Sequence, residues 1–210
     1  MRLLILGAGY SGKAIARACG PDFETIHGTT RSPDTFGELE RAGVRPLVFD
    51  GSGISPALSD ALRQATHLVQ SISPAREGDA FLKLSEDLSS AAPNLRWIGY
   101  LSTVGVYGDR KGEWVDEDAV LDPINARSNE RVIAERSWLE RGERMGIPVA
   151  VLRLSGIYGP GRNAFVNLEN GTARRLIKPG QIFNRIRVED IGRFTRFLIG
   201  RDLGGIYNVT

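Results

Sequence analysis

The chain has 210 residues, of which 41% are hydrophobic and 25% are charged, with a formal net charge of +2 at pH 7. These values are typical of a globular protein with a sizeable core and do not indicate a nucleic-acid-binding class. The single cysteine, Cys19, and the two histidines, His27 and His67, exclude a disulfide framework and a zinc-type cluster. No apolar run reaches the length of a membrane span. We therefore expect no metal site, no nucleic-acid or membrane partner, and a reducing, cytoplasmic setting.

The first residues predict a buried strand that ends in a glycine-rich turn. Leu3-Leu4-Ile5-Leu6 is a continuous apolar run, typical of a strand buried on both faces, and it is too short for the core of a signal peptide. The glycines Gly7, Gly9 and Gly12 follow it as a G-x-G-x-x-G motif, and a helix is predicted at 13–18. This order of strand, turn and helix indicates a dinucleotide site, whereas the alternative is a glycine-rich turn without a ligand.

Each part of this motif has a physical role in binding a dinucleotide. The first glycine permits the tight turn, the second lets the backbone approach a pyrophosphate, and the third lets helix and strand pack closely. The helix N-terminus offers free N–H groups and the positive end of its dipole to the phosphates. The residues expected at the pyrophosphate are Gly7, Gly9, Tyr10, Ser11 and Gly12.

The end of the predicted second strand indicates which dinucleotide is bound. NAD sites place a carboxylate about 20 residues past the glycines, on the ribose hydroxyl. Here residues 27–31 carry no carboxylate, and Arg31 follows two threonines. A guanidinium beside small hydroxyl groups suits a 2′-phosphate, so we predict NADP, with NAD as the alternative cofactor. The competing interpretation is that Arg31 is a solvated turn residue.

Three strand ends add further candidates for cofactor binding. The third and fourth predicted strands should bring polar residues to the adenine and to the nicotinamide ribose. Each of these residues is also explained by an ordinary turn between a strand and a loop. The candidates, with the one from the second strand included, are Thr30, Asp50, Ser71 and Ser73.

Short apolar strands alternate with helical stretches along the rest of the chain, which is typical of βαβ units and a parallel sheet. We predict one doubly wound α/β Rossmann domain over 1–210, with a small irregular substrate lobe inserted at 158–186. Such proteins normally close with more helix, so we expect a further segment beyond Thr210. The later strands are predicted at 23–27, 44–49, 67–72, 96–102, 149–154 and 206–209, and the later helices at 36–42, 58–65, 81–91 and 127–144.

Several segments, in this order, resemble motifs of the short-chain dehydrogenase/reductase superfamily. The resemblance covers nearly the whole chain and is strongest to the extended branch, the NAD-dependent epimerase/dehydratase family, including its atypical members. It implies a Rossmann fold, a nicotinamide cofactor and a small-molecule substrate. The segments that carry it are the glycine motif at 7–12, YLSTVGVYG at 100–108, RLSGIYGPG at 153–161, RVEDI at 187–191 and IYNV at 206–209.

The resemblance also implies a catalytic tyrosine and a lysine four residues later on a helix, assisted by a hydroxyl at the end of the fifth strand. Thr103 matches the hydroxyl position. With Glu135 in its family place, Arg127 and Arg131 occupy the tyrosine and lysine positions. An arginine stays protonated and cannot relay a proton as a phenol does. We expect these arginines to hold a carbonyl or carboxylate opposite Thr103 instead.

The four lysines, Lys13, Lys83, Lys111 and Lys178, allow one tyrosine–lysine pair of the required spacing, Tyr107 with Lys111. That pair follows a strand and is predicted to form a turn, where a spacing of four does not align two side chains. Tyr107 alone is therefore the better candidate, as a hydroxyl that lines the site.

Basic and polar residues late in the chain are candidates for substrate binding. Arg162 and Asn163 follow a Gly-Pro-Gly loop at the carboxyl end of the sixth strand, where ligands bind in such sheets. Arg187 stands where the family pattern has histidine. The arginines between 174 and 196 form either an anionic-substrate pocket or a solvated face.

Together these features predict an NADP-preferring oxidoreductase or epimerase/dehydratase-like enzyme for a small anionic or sugar-like substrate. It would lack the usual tyrosine–lysine pair. The alternative is a non-catalytic NADP(H)-binding redox sensor or partner-binding module. The apolar face at 194–199 is either core or a homodimer contact, so the oligomeric state stays open.

Overall fold

The computed structural model describes residues 1–175, 177 and 179–210, so Lys178 lies outside the described residues. The strands are β1 (Arg2–Leu6), β2 (Thr25–Thr30), β3 (Arg45–Val48), β4 (His67–Gln70), β5 (Trp97–Thr103), β6 (Val149–Leu154), β7 (Gly156–Tyr158), β8 (Arg185–Arg187) and β9 (Gly205–Val209). The α-helices are α1 (Tyr10–Cys19), α2 (Phe36–Glu40), α3 (Pro56–Gln64), α4 (Ala80–Leu84), α5 (Leu88–Ala91), α6 (Ala126–Met145), α7 (Ala164–Glu169) and α8 (Val188–Ile199).

Seven strands form one parallel sheet in the order β3-β2-β1-β4-β5-β6-β9. The chain first winds from β1 towards β3 and then returns to the other side of β1 at β4, which confirms the predicted doubly wound Rossmann sheet. In such sheets, ligands bind in the crevice where the order reverses, at the carboxyl ends of the strands. Here that crevice lies between β1 and β4.

Burial on both faces explains the continuous apolar run in β1. Leu3 and Ile5 belong to one core cluster, which α1 and α8 cover, whereas Leu4 and Leu6 belong to the opposite cluster, which α3, α5 and α6 cover. Full burial of one such side chain contributes about 1.5–3 kcal/mol. No helix among the described residues is long and apolar enough to cross a membrane.

Several predicted elements have different bounds in the structure, and two of the differences affect the fold. The helix predicted at 81–91 is wrong as a single element, because α4 and α5 each have their own aspartate cap: Asp79 accepts from the Phe81 N–H at 2.9 Å, and Asp87 accepts from the Ser90 N–H at 3.1 Å. The second strand runs from Thr25 to Thr30 rather than over 23–27. Its extension pairs with β3 and brings the threonines into the sheet.

The segment predicted as an irregular lobe is partly regular. It begins in β7, contains α7 and ends beside β8, and the two strands pair in a second, two-stranded parallel sheet. Its role as a substrate lobe stays a prediction. In α8, the apolar face at 194–199 is largely core, since Leu198 and Ile199 are buried, although Phe197 is 45% exposed.

A buried ion pair joins α6 to the centre of the sheet. Arg153 on β6 and Glu135 on α6 are 3% and 2% exposed, and their Nη2 and Oε2 atoms lie 2.9 Å apart. Ser102 at the end of β5 also donates to Glu135. Because a charge in a protein interior must be paired, this arrangement fixes α6 over β5 and β6.

The same arginine extends the network to the strand ends. Arg153 donates to the Tyr107 hydroxyl at 2.7 Å, and Tyr107 donates to Asn208 Oδ1 at 2.6 Å. Arg153 also donates to the Glu117 carbonyl at 3.0 Å, while the Glu117 carboxylate accepts from the Asn208 N–H at 2.7 Å. Three motifs of the sequence resemblance thus supply Tyr107, Arg153 and Asn208 to one buried network.

Removing one partner of this buried pair should destabilise the fold strongly. We expect Arg153→Met to lower the free energy of unfolding by about 3–5 kcal/mol in urea denaturation, because Glu135 is left buried without its counterion. The control is Arg193→Met, whose side chain is 78% exposed and pairs with Asp190. Similar losses for the two variants would contradict the role of the buried pair.

Candidate functional site

A cleft of about 510 Å³ opens at the carboxyl edge of the sheet, at the crevice between β1 and β4. The β1–α1 loop, the ends of β2 and β3 and the loop after β4 form its walls. The sequence-predicted residues that line it are Gly7, Gly9, Thr30, Arg31, Asp50 and Ser73.

The glycine loop has the geometry that the motif predicts. Gly7 adopts φ +82°, and its N–H donates to Thr29 Oγ1 at 2.8 Å. The adjacent Ala8 N–H donates to the Thr29 carbonyl at 2.8 Å, so the loop is fixed to β2. A Cβ at Gly12 would lie 3.0 Å from the Gly7 carbonyl, which explains the close approach of α1 to the loop. A Cβ at Gly9 would meet nothing within 4 Å, so the cleft side of Gly9 is open.

The start of α1 faces this opening without a side-chain cap. Gly9 is the N-cap residue and, in the described part of the chain, no side chain bonds to the N–H groups of the first turn. These N–H groups have no acceptor within their own helix, so they can bind an anion such as a pyrophosphate. The residues present therefore fit the phosphates of a dinucleotide.

Tyr10 and Ser11 do not line the cleft directly. Ser11 is buried in α1, whereas the Tyr10 hydroxyl donates to the Pro160 carbonyl at 3.0 Å. The guanidinium of Arg162 lies 5.7 Å from the centre of the Tyr10 ring. Partial burial and the nearby Glu189 carboxylate raise the pKa of Tyr10. Tyr10 therefore joins the glycine motif to the loop at 159–162, although these segments lie far apart in the sequence.

The lining of the cleft includes two charged residues, Lys13 and Glu38, that were not predicted from the sequence. Lys13 in α1 and Glu38 in α2 both line it, and their Nζ and Oε2 atoms lie 2.5 Å apart. The lysine holds the pKa of the Glu38 carboxyl below its usual range. NAD sites place a carboxylate at the end of the second strand, whereas the Glu38 carboxylate comes from the following helix, α2. A single sequence gives no signal for such a cross-helix pair.

The strand-end candidates take different positions. Asp50 lines the cleft and also caps a turn, since its Oδ1 accepts from the Ser52 hydroxyl at 2.6 Å and from the Ser52 N–H at 2.9 Å. These two bonds lower the pKa of Asp50. Ser73 lines the cleft, whereas the half-buried Ser71 does not.

Arg131, which the sequence resemblance aligns with the lysine position, contacts Ser73 in the wall of the cleft. Its guanidinium donates to the Leu101 carbonyl and, at 2.7 Å, to Ser73 Oγ. It therefore links the end of β5 to the loop after β4. The Thr103 hydroxyl oxygen accepts from the Gly105 N–H at 3.1 Å, and Arg127 is exposed in the first turn of α6. Neither Thr103 nor Arg127 is among the described residues that line the cleft.

Tyr107 is not among the described residues that line the cleft, and its role as a hydroxyl that lines the site stays a prediction. Tyr107 is 2% exposed, and both its hydrogen bonds, from Arg153 and to Asn208, lie inside the buried network. Lys111 follows in a turn with φ +52°, so no helix aligns the two side chains.

The candidates for substrate binding lie beside the glycine loop. Arg162 is exposed above Tyr10. Asn163 caps α7, since it accepts from the Phe165 N–H at 3.0 Å. Arg187 pairs with Glu189 at 2.9 Å. Of the two arginines, Arg162 is thus the one whose guanidinium makes no hydrogen bond or ion pair within the described residues.

Comparison with known proteins gives two kinds of similarity. No family model matches the chain. The Escherichia coli K12 protein YeeZ is 26% identical over 235 residues, covering 99% of this chain and 77% of YeeZ. A conserved protein of unknown function from Silicibacter pomeroyi DSS is 43% identical, with a TM-score of 0.87 over 99% of this chain and 71% of that protein.

A solved enzyme shares the fold at lower identity. The Bacillus cereus UDP-glucuronic acid 4-epimerase, in complex with UDP-glucuronic acid and NAD, is 19% identical with a TM-score of 0.77, over 100% of this chain and 77% of the epimerase. The chain therefore belongs to the same family as the Silicibacter pomeroyi protein, and its fold is that of the extended short-chain dehydrogenase/reductases, the NAD-dependent epimerase/dehydratase proteins.

Proposed function

We propose that the protein binds a nicotinamide dinucleotide in the cleft, with NADP(H) preferred to NAD(H). The observation that carries this proposal is the open side of Gly9 beside the uncapped N-terminus of α1. Free backbone N–H groups and the helix dipole favour a pyrophosphate at that point. The Bacillus cereus epimerase has the same fold and was solved with NAD, which supports the proposal of a dinucleotide here.

The preference for NADP(H) rests on Arg31. Arg31 lines the cleft at the end of β2, next to Thr30. A guanidinium binds a phosphate through two parallel hydrogen bonds, which a ribose hydroxyl does not match. Arg31 would therefore hold the 2′-phosphate, while Asp50 lies at the end of β3 on the adenine side.

The nicotinamide half would extend towards Ser73 and Arg131. When bound, the nicotinamide supplies hydride transfer, and the protein has to orient the cofactor and the substrate. Arg131 fixes Ser73 and the end of β5, so it can position the ribose and provide a permanent positive charge. Thr103, at the same strand end, provides a hydroxyl for a reacting oxygen.

We propose that the reaction is that of an oxidoreductase or of an epimerase/dehydratase-like enzyme, on a small anionic or sugar-like substrate. Arg162 supports an anionic substrate, because its exposed guanidinium lies beside the glycine loop. Arginine stabilises developing negative charge without giving up a proton, so such an enzyme would use electrostatic stabilisation instead of a tyrosine acid.

The second candidate is a non-catalytic NADP(H) sensor or partner-binding module. It is favoured by the arginines at the tyrosine and lysine positions, since neither Arg127 nor Arg131 can exchange a proton at ordinary pH. Tyr107 does not replace the missing acid, because its hydroxyl is buried in the network with Arg153.

A methyl group at Gly9 should block the cofactor without harming the fold. We expect Gly9→Ala to weaken NADPH binding by about tenfold or more in calorimetry, because the methyl occupies the space where the pyrophosphate approaches the backbone. The free energy of unfolding should stay nearly unchanged, since the added Cβ meets nothing within 4 Å. The matched control is Gly20→Ala, where an added Cβ also meets nothing within 4 Å. Undiminished binding by Gly9→Ala would refute the pyrophosphate site.

The cofactor preference should depend on Arg31. We expect Arg31→Ala to weaken NADPH binding by about tenfold, because the charged hydrogen bonds to the 2′-phosphate are lost, while NADH binding stays nearly the same. The control is Arg41→Ala, an exposed arginine outside the cleft lining. Equal affinities for the two cofactors in both wild type and Arg31→Ala would rule out this role.

An enzyme and a sensor differ in whether a substrate is converted. With UDP-glucuronic acid, its oxidised keto form or small carbonyl compounds as probes, an oxidoreductase changes the absorbance of NADPH or NADP⁺ in a substrate-dependent way. An epimerase/dehydratase-like enzyme regenerates its cofactor, so its turnover is followed as sugar-nucleotide product by chromatography. We expect Thr103→Val to lower that turnover by about tenfold or more, because a hydroxyl that hydrogen-bonds the reacting oxygen is lost. Thr172→Val, at an exposed position, is the control. Unchanged turnover in Thr103→Val would exclude its role, and binding without turnover of any probe would favour the sensor.

A further inference from the structure

An ion pair between Lys13 and Glu38 lies in the wall of the cleft, where Arg31 also lies. Lys13 lies one turn into α1, and Glu38 lies in the first turn of α2. Their Nζ and Oε2 atoms are 2.5 Å apart, with the side chains 20% and 53% exposed. Both residues line the cleft together with Arg31. The cleft in which we propose that Arg31 binds a phosphate therefore contains a second cation, Lys13, which is already paired with the Glu38 carboxylate.

Other charged groups lie near this pair: Arg41 also acts on Glu38, and Asp50 lines the same cleft. Among the residues that the structure describes, Arg31 takes part in no ion pair, so its charge is available to a ligand. The hydroxyls of Thr30 and Thr35 bond to each other at 2.7 Å and add no charge. Lys13 keeps the pKa of Glu38 below its usual range, so the carboxylate stays ionised at neutral pH. Arg31 and Lys13 thus attract an anion that Glu38 repels.

We propose that Glu38 is a specificity residue that competes with the 2′-phosphate of NADP for Lys13 and so limits the preference for NADP over NAD. This inference rests on the proposed cofactor site. A phosphate monoester carries about −1.5 to −2 charges at neutral pH and gains from a second cation. It can reach the Lys13 ammonium only when Glu38 moves away, whereas NAD has a neutral hydroxyl from which a carboxylate readily accepts.

The direct test compares two carboxylates on one helix. Glu38→Gln removes the competing charge with little change in shape, and we expect it to raise the affinity for NADPH by about fivefold relative to NADH. Glu40→Gln removes the same charge from an exposed position in α2 that does not line the cleft, so it should leave this ratio unchanged. Both ratios come from calorimetric titration with NADPH and with NADH.

A double-mutant cycle shows whether Glu38 acts through Lys13. We expect Lys13→Met to weaken NADPH binding and to leave NADH binding nearly unchanged. In the Lys13→Met background, Glu38→Gln should then raise the affinity for NADPH relative to NADH by clearly less than fivefold. The reason is that Glu38 no longer has a lysine ammonium to pair with, so its removal frees no cation for the phosphate. An equal effect of Glu38→Gln in both backgrounds would overturn the competition for Lys13.

The outcomes separate this inference from the proposed function. If wild type binds both cofactors and Glu38→Gln leaves their affinity ratio unchanged, the role of Glu38 is refuted while the cofactor site stands. If Glu38→Gln and Glu40→Gln shift the ratio equally, the effect comes from net charge alone, which also refutes the role of Glu38. If wild type binds neither cofactor, the proposed function and this inference fail together.

Discussion

The close approach of β1, β2 and α1 is the constraint on which the candidate site depends. A Cβ at Gly28 would lie 2.6 Å from Val44 and 2.7 Å from Ala8, and one at Gly7 would lie 2.8 Å from Ile72. Because Gly28 and Gly7 have no side chain, these neighbouring side chains can pack directly against their backbones, and the Gly7 N–H bonds to Thr29 in the neighbouring strand. This packing aims the uncapped end of α1 into the crevice at the centre of the sheet.

The segments that resemble motifs of the extended short-chain dehydrogenase/reductases have two different structural roles in this chain. The glycine motif shapes the cleft, whereas Tyr107, Arg153 and Asn208 hold strand ends together away from it. The second group therefore stabilises the fold in this chain rather than lining the cleft. Arg131 keeps a link to the cleft through Ser73, which makes it a positioning residue in our proposal.

The sheet and the glycine loop could be predicted from the sequence because their signals are local. An apolar run such as that at 3–6 indicates a strand buried on both faces, and the G-x-G-x-x-G motif predicts a turn between a strand and a helix. The pairing of Lys13 with Glu38 could not be predicted, because it depends on how two helices pack on the same edge of the sheet. The bond from Tyr107 to Asn208 could not be predicted for the same reason, since the two residues lie 101 positions apart in the chain.

Amide hydrogen exchange with and without NADPH tests the central claim most directly, because it reports on the backbone N–H groups at the start of α1. The account predicts that NADPH slows exchange at residues 9–12 and at the end of β2, and leaves β9, at the far edge of the sheet, unchanged. Exchange at 9–12 that is the same with and without saturating NADPH would contradict the claim that a pyrophosphate binds there.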